Sequence, residues 1–259
     1  MVTAVTCKEC ADAVRALDPA VGAVSEQIAG GIAAFTGVDS PITQALGVGM
    51  DGPVTETELD RLEDFFFSRG AAVALELCPF ADRSLVELIS KRPYRLEEFS
   101  TVLVRELKIG EGFFEPAAGV TVREAEPHES QQYARLVAEG FDDTVPVTQP
   151  LINIVEAFFQ RGSGRCFLTF VNGQAVGGGS VAIHDGIAEL YGASTVTRFR
   201  GRGAQTALLN ARMAWAVKHN CPLATTTTAP GTTSQRNFER AGFRVVYSRT
   251  KMIRRPASA

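Results

Sequence analysis

Two dipeptides constrain this chain more than any other feature of its sequence. Asn172-Gly173 and Asp185-Gly186 are residue pairs that tolerate two successive positive φ angles. That is the geometry of a two-residue hairpin turn matched to the twist of the flanking strands. They separate three runs, 165–171, 175–184 and 187–196, that read as strands, so the spacing predicts an antiparallel meander. The third run passes through an Arg/Gly-rich turn into a helix over 203–220. A strand at 223–228, a helix over 234–241 and a last strand at 244–253 follow. Ahead of the meander stand a short strand at 120–126 and helices at 129–140 and 150–161, parted by an Asp/Thr/Pro loop. This order describes a mixed sheet in which a meander leads into a βαβ crossover.

The first half is less sharply written. Apolar residues at threes and fours (Val14, Leu17, Val21, Val24, Ile28) predict helix through much of the first forty residues, with Pro19 at a break. Residues 42–50 read as a strand. Thr55-Glu-Thr-Glu58 is a capping box, predicting a helix from there to Arg69, stopped by Gly70. Strands at 71–78 and 98–107 flank a helix over 82–91. Residues 108–119 hold Gly110, Gly112, Pro116 and Gly119, the signature of a linker. The expected division is a domain at 1–108, a linker at 109–119 and a second domain at 120–259.

Composition narrows the function classes. The 259 residues carry a formal net charge of −3, against the basic surplus of a protein that neutralises phosphate backbones, so no nucleic-acid partner is expected. No apolar run is long enough to span a membrane, and no signal segment leads the chain. Five cysteines, an odd number, suit reduced thiols and a cytoplasmic location. Cys7-Lys-Glu-Cys10 has the spacing of half a zinc site but lacks a second ligand pair, so it reads as two small residues on one helical face and no metal is expected.

The chemistry is carried by Glu189-Leu-Tyr-Gly-Ala-Ser-Thr-Val-Thr-Arg-Phe-Arg200-Gly-Arg-Gly203-Ala-Gln-Thr-Ala-Leu-Leu209. A strand, a glycine turn and a helix start place free N–H groups and the positive end of a helix dipole together, with Arg198, Arg200 and Arg202 around them and Arg212 further on. This is a cradle for an anion such as pyrophosphate. A Walker A loop and a dinucleotide-binding fingerprint are both absent. The pattern Arg200-x-x-Gly203-x-Gln205 resembles the acetyl-CoA signature of the GCN5-related N-acetyltransferase (GNAT) family, Gln/Arg-x-x-Gly-x-Gly/Ala, with Gln205 replacing its last small residue. Ser234 to Phe243 resembles the family's second motif, a helix ending in Gly-Phe. The resemblance implies an α+β fold (a mixed twisted sheet with flanking helices) and acetyl-CoA as cosubstrate. It implies that Ser194, Thr195 and Val196 offer backbone groups to the pantetheine arm. Arg200, Gly201, Arg202, Gly203, Ala204 and Gln205 would hold the pyrophosphate, and Asn237 would stand by the thiol end.

Glu189, on the strand before the cradle, matches the position where some relatives carry a catalytic glutamate and is the candidate base. Many relatives place a tyrosine where this chain has Phe238, so the proton donor passes to Tyr191, Tyr247 or water, or the thiolate leaves unassisted. The histidines form no constellation, and no nucleophile elbow is present. Gly177-Gly178-Gly179 reads as a strand that opens space beside the thioester.

A shift of 150 positions brings Gly70 over Asn220 and Ser84 over Ser234, with similar patterns around them. The first half therefore resembles a worn second copy of the same domain. Met50, Pro53 and Thr55 stand where the cradle has Arg200, Gly203 and Gln205. The implied activity is transfer of an acetyl group to the amine of a small-molecule acceptor, by a monomer or homodimer. A non-catalytic acyl-CoA sensor is the alternative, and a different acyl donor or a hydroxyl acceptor is a third reading.

Overall fold

The computed structural model describes residues 2–108, 110–113, 115–141 and 146–256. Positions 109 and 114 of the expected linker and 142–145 of the loop between the two helices of the second half lie outside the described residues. The chain divides into two compact units. One comprises residues 1–102, 228–235 and 245–259; the other comprises 103–227 and 236–244.

The first unit opens with helix α1 (Val2–Leu17), followed by strands β1 (Val24–Ile28), β2 (Gly31–Phe35) and β3 (Gln44–Leu46). The helix thus stops well short of the periodicity that suggested it. Pro19 begins a short 3-10 turn, Gly22 follows in the left-handed region, and Val24 and Ile28 belong to a strand. Ala29 and Gly30, both at positive φ, make the two-residue turn between β1 and β2. The expected strand at 42–50 shrinks to three residues because Gly47 and Gly49 leave the extended region at φ of 78° and 74°. Helix α2 (Glu56–Phe67), strand β4 (Val73–Leu77), helix α3 (Arg83–Ser90) and the start of strand β5 (Arg95–Glu106) complete this part. The Thr55–Glu58 capping box is formed in both directions. β3 and β4 are parallel, and the strand order is β1-β2-β3-β4-β11-β5, where β11 (Arg244–Arg254) is the last strand of the chain. Leu59, Leu62, Phe66, Leu75, Leu85 and their neighbours form the core. Cys7 and Cys10 sit on the buried face of α1.

The second unit contains β6 (Val120–Glu124), α4 (Ser130–Phe141), α5 (Gln149–Gln160), β7 (Gly164–Val171), β8 (Gln174–His184), β9 (Ile187–Thr195), α6 (Ala204–Lys218), β10 (Leu223–Thr228) and α7 (Thr233–Arg240). Both expected hairpin turns are present, with φ of 49° and 78° at Asn172-Gly173 and 50° and 74° at Asp185-Gly186. The strand order is β5-β10-β9-β8-β7-β6, antiparallel through β6–β9 and parallel between β9 and β10. Leu208, Leu209 and Met213 of α6 pack on Phe167, Val181 and Leu190 from one side. Tyr133, Val137, Ile152 and Val155 of α4 and α5 pack on Leu168 from the other. Each such apolar side chain taken from water contributes roughly 1.5–3 kcal/mol. The fold is mixed α and β with flanking helices, as the sequence implied. The succession meander, helix, parallel strand, helix, strand occurs twice, as β1–β5 and as β7–β11. The offset between α3 and α7 is the 150 positions of the sequence repeat.

Candidate active site

β9 pairs with β10 over only three residues, the last pair being Glu189 with Thr225. Beyond it β9 continues to Thr195 while β10 departs. The Leu190 carbonyl, next along β9, accepts a hydrogen bond from the Thr226 hydroxyl at 2.8 Å. The two parallel strands therefore open into a wedge with Glu189 at its apex. On the other edge of β9 the ladder with β8 slips between Gly178/Ser194 and Ser180/Tyr191, with Gly192 at φ 57°. Such a bulge bends one strand away from its neighbour.

At the open end, β9 gives way to a 3-10 turn (Thr197–Phe199) and then to α6. Gly201 and Gly203 have φ of 77° and 82°, and Gly203 is the N-cap of α6 without a side-chain cap. The first helical bond that closes runs from Ala207 N–H to Gly203 carbonyl at 3.0 Å. The N–H groups of the first turn, at Ala204 and Gln205, consequently have no carbonyl within the helix and add to its positive end. No acidic residue lies in that turn.

The arginines are not equivalent. The Arg200 guanidinium donates to the Thr195 carbonyl at 3.0 Å and the Gly140 carbonyl at 2.9 Å, so it braces the turn. Arg198 pairs with Glu139 at 3.0 Å. Arg202 is exposed and lies over the Phe199 ring, leaving its charge open to solvent. Arg212, which the sequence groups with them, is fully buried inside α6's packing face and has no part in the cradle.

Ser194 donates its hydroxyl to the Val137 carbonyl at 2.7 Å, and the Thr195 hydroxyl donates to Gln205 Oε1 at 3.4 Å. Both main-chain groups of Val196 are engaged, the N–H by Val176 and the carbonyl by Phe199. Glu189 is buried, at 4% exposure. Tyr191 packs its ring edge-on against Phe158 and under Arg161, and its hydroxyl finds no acceptor among the described residues. Asn237, on α7, accepts from Arg240 at 3.2 Å. Phe238 is buried against Phe243. The exposed Phe80 packs on Tyr247, which lies in the first unit's part of β11.

The three glycines of β8 do not open space. A Cβ on Gly177 would lie 2.3 Å from the Ser194 carbonyl oxygen, on Gly178 2.8 Å from the Tyr133 ring, and on Gly179 2.7 Å from Ala193 Cβ. They are small because β9 and α4 approach the strand closely. The space expected beside the thioester is filled by these neighbouring elements.

An opened parallel strand pair ending at an uncapped helix leaves backbone donors and the positive end of a helix dipole along one path. Residues 131–243 match the acetyltransferase (GNAT) family. The chain carries a GNAT domain. Among solved structures, a GCN5-related N-acetyltransferase from Kribbella flavida shares 18% identity over 96% of both chains, with a TM-score of 0.66. A tandem GNAT protein from the clavulanic acid biosynthesis pathway shares 15% identity, covering 86% of this chain and 77% of that one, at a TM-score of 0.60. A GCN5-related N-acetyltransferase from Sphaerobacter thermophilus shares 18% identity over 73% of this chain. The match spans 61% of that protein's length, at a TM-score of 0.56. At these identities the likeness is one of fold. The comparison with curated proteins gives no match. Of the sequence-derived site residues, the GNAT domain brings Glu189, Tyr191 and Ser194–Gln205 along one strand–turn–helix path.

Proposed function

We propose that the second half of the chain transfers an acetyl group from acetyl-CoA to the amine of a small molecule, within a ternary complex. The observation that carries this reading is the wedge beyond Glu189 and Thr225, which ends at the uncapped N-terminus of α6. In this assignment the Gly201–Gln205 amides and Arg202 receive the pyrophosphate. The β9 edge towards Ser194 and Thr195 lines the pantetheine arm, and Asn237 stands near the thiol end. Gln205 still has a main-chain N–H to give, although its side chain takes up room that a smaller residue would leave.

Glu189 removes the proton that the attacking amine must lose as the new C–N bond forms and the C–S bond breaks. Tyr191 supplies a proton to the departing thiolate, so the products are an amide and free CoA thiol. The buried setting of both groups suits proton transfer away from bulk water. We further assign residues 1–108 to a worn copy of the domain and residues 109–119 to the linker. The support is the repeated order of elements and the 150-residue offset.

The test is thiol release from acetyl-CoA across a panel of small amines, with wild type and Glu189→Gln. Release with at least one amine, lost in Glu189→Gln while CoA still binds, is the expected result. A second reading, an acyl-CoA sensor without turnover, draws on Phe238, whose phenyl ring lies in the core with no proton to give. Binding without thiol release from any acceptor would favour it.

A further inference from the structure

Arg212 of α6 is the largest fully buried side chain in the described structure. Arginine rarely leaves water without a counter-charge, yet no carboxylate among the described residues pairs with it. Its Nε lies 3.4 Å from the Leu208 carbonyl, and its Nη1 lies 3.2 Å from the Ser180 carbonyl and 3.5 Å from the Tyr191 carbonyl. Nη2 has no acceptor among the described residues. Loss of hydration lowers the pKa to about 10, which leaves a cation at neutral pH. As packing alone, such a group destabilises the core that holds it.

Its position gives it another use. Ser180 and Tyr191 form the first pair beyond the β8–β9 register slip, so the guanidinium sits beside the bulge. Orientation along β9 follows from alternation. The Leu190 carbonyl faces β10, where Thr226 reaches it, so the Tyr191 carbonyl faces β8, where Arg212 reaches it. No peptide bond is cis, and in a trans peptide the N–H points opposite to the carbonyl. The Gly192 N–H, sharing a peptide group with the Tyr191 carbonyl, therefore faces the edge that β10 has left. A cation on the carbonyl of an amide draws electron density from its N–H and makes it a stronger donor, an effect enhanced where water is excluded.

Building on the reading of the wedge as an acyl-CoA site, we propose that Arg212 is a positioning residue for acyl transfer. It holds the β9 bulge and, through the Tyr191–Gly192 peptide, strengthens the Gly192 N–H that meets the acyl oxygen as negative charge develops there. A donor in direct contact with such an oxygen is worth about 100- to 1,000-fold in rate, so an indirect one should be worth roughly tenfold.

The experiment uses the full chain with Arg212→Met and Arg212→Lys. It reads CoA affinity by calorimetry, the thermal midpoint, and kcat and KM for an amine found by the thiol-release screen. Arg212→Met should melt no lower than wild type, because replacing a lone buried ion by an apolar side chain of similar length removes its desolvation cost. Its CoA affinity should stay within about threefold while kcat falls roughly tenfold at unchanged KM. Arg212→Lys should lie between the two. Wild-type kcat in Arg212→Met overturns the proposal, as does a kcat loss that merely follows a loss of thermal stability and CoA binding. Should Arg212→Met fail to fold, Arg212→Lys decides by the same readouts, and failure of both to fold assigns Arg212 to stability alone. A wild type that binds no CoA would refute the wedge itself, a result recognisable because it does not depend on residue 212.

Discussion

Helices α2 and α6 follow equivalent meanders, yet their N-termini are finished in opposite ways. At α2, Thr55 and Glu58 form a reciprocal cap, Glu56 and Glu58 place carboxylates in the first turn, and the Ser84 hydroxyl accepts the Val54 N–H at 2.7 Å. The Val54, Thr55 and Glu58 N–H groups are occupied, and two carboxylates stand in the turn. The segments that follow the strand pair ahead of it are tied together as well, since the Gly49 carbonyl accepts from Asp82 N–H at 2.8 Å. At α6 a left-handed glycine replaces the cap, no acidic residue lies in the first turn, and the strands before it stand open. The difference teaches that a helix following a meander is either sealed by its cap or left with free N–H donors according to a handful of residues at its start. The sealed end contributes stability; the open end forgoes it and leaves its donors free.

The largest effect is expected from giving α6 the finish of α2. Gly203→Asp puts a capping carboxylate where the phosphates are assigned, in a left-handed position that aspartate tolerates better than most residues. CoA affinity measured by calorimetry should fall by about 100-fold or more, corresponding to loss of roughly 3 kcal/mol of charge-assisted hydrogen bonding. A folded variant with unchanged affinity would break the comparison. The converse change, Thr55→Ala at α2, should cost about 1 kcal/mol in denaturant unfolding and leave CoA affinity as it was. Weaker CoA binding in a stable Thr55→Ala protein would mean that the first unit takes part in the site.

Smaller effects sharpen the roles inside the cradle. Arg202→Ala should weaken CoA binding by about fivefold at low salt and less at high salt, as expected for an exposed ion pair of up to about 1 kcal/mol. The smallest effect concerns the start of α4, where Arg123 grips Glu129 through two hydrogen bonds of 2.7 Å and holds its pKa down at about 2. A depressed carboxyl stabilises the fold above its unfolded pKa near 4 and loses that contribution as pH falls from about 4 towards 2. Thermal midpoints of wild type and Glu129→Gln should therefore differ by a few degrees at most at pH 7 and converge near pH 2.

The second half was legible because its turns are chemically explicit. Asn172-Gly173 and Asp185-Gly186 name their own geometry, and the glycine turn before Ala204 announces a helix start without a cap. The first half hides the same meander behind Ala29-Gly30, a turn lacking the usual asparagine or aspartate. The helical spacing of Val14 to Ile28 continued by chance across Pro19 into a strand. Within the site, the path from Glu189 to Gln205 could be read from the chain, but the use of each side chain could not. Whether Arg200 grips a ligand or braces a turn depends on the Thr195 and Gly140 carbonyls, the latter sixty residues away in sequence. Arg212 groups in sequence with the arginines of the turn because nothing local marks it as buried. Gly177 to Gly179 looked like open space because the elements that crowd them come from elsewhere in the sequence.

The central claim, that the open helix start binds acyl-CoA and the capped one does not, is tested most directly by the stoichiometry of CoA binding in a calorimeter. One CoA should bind per chain, abolished by Gly203→Asp and untouched by Thr55→Ala. Two CoA molecules per chain, or binding that survives Gly203→Asp in a folded protein, would contradict it.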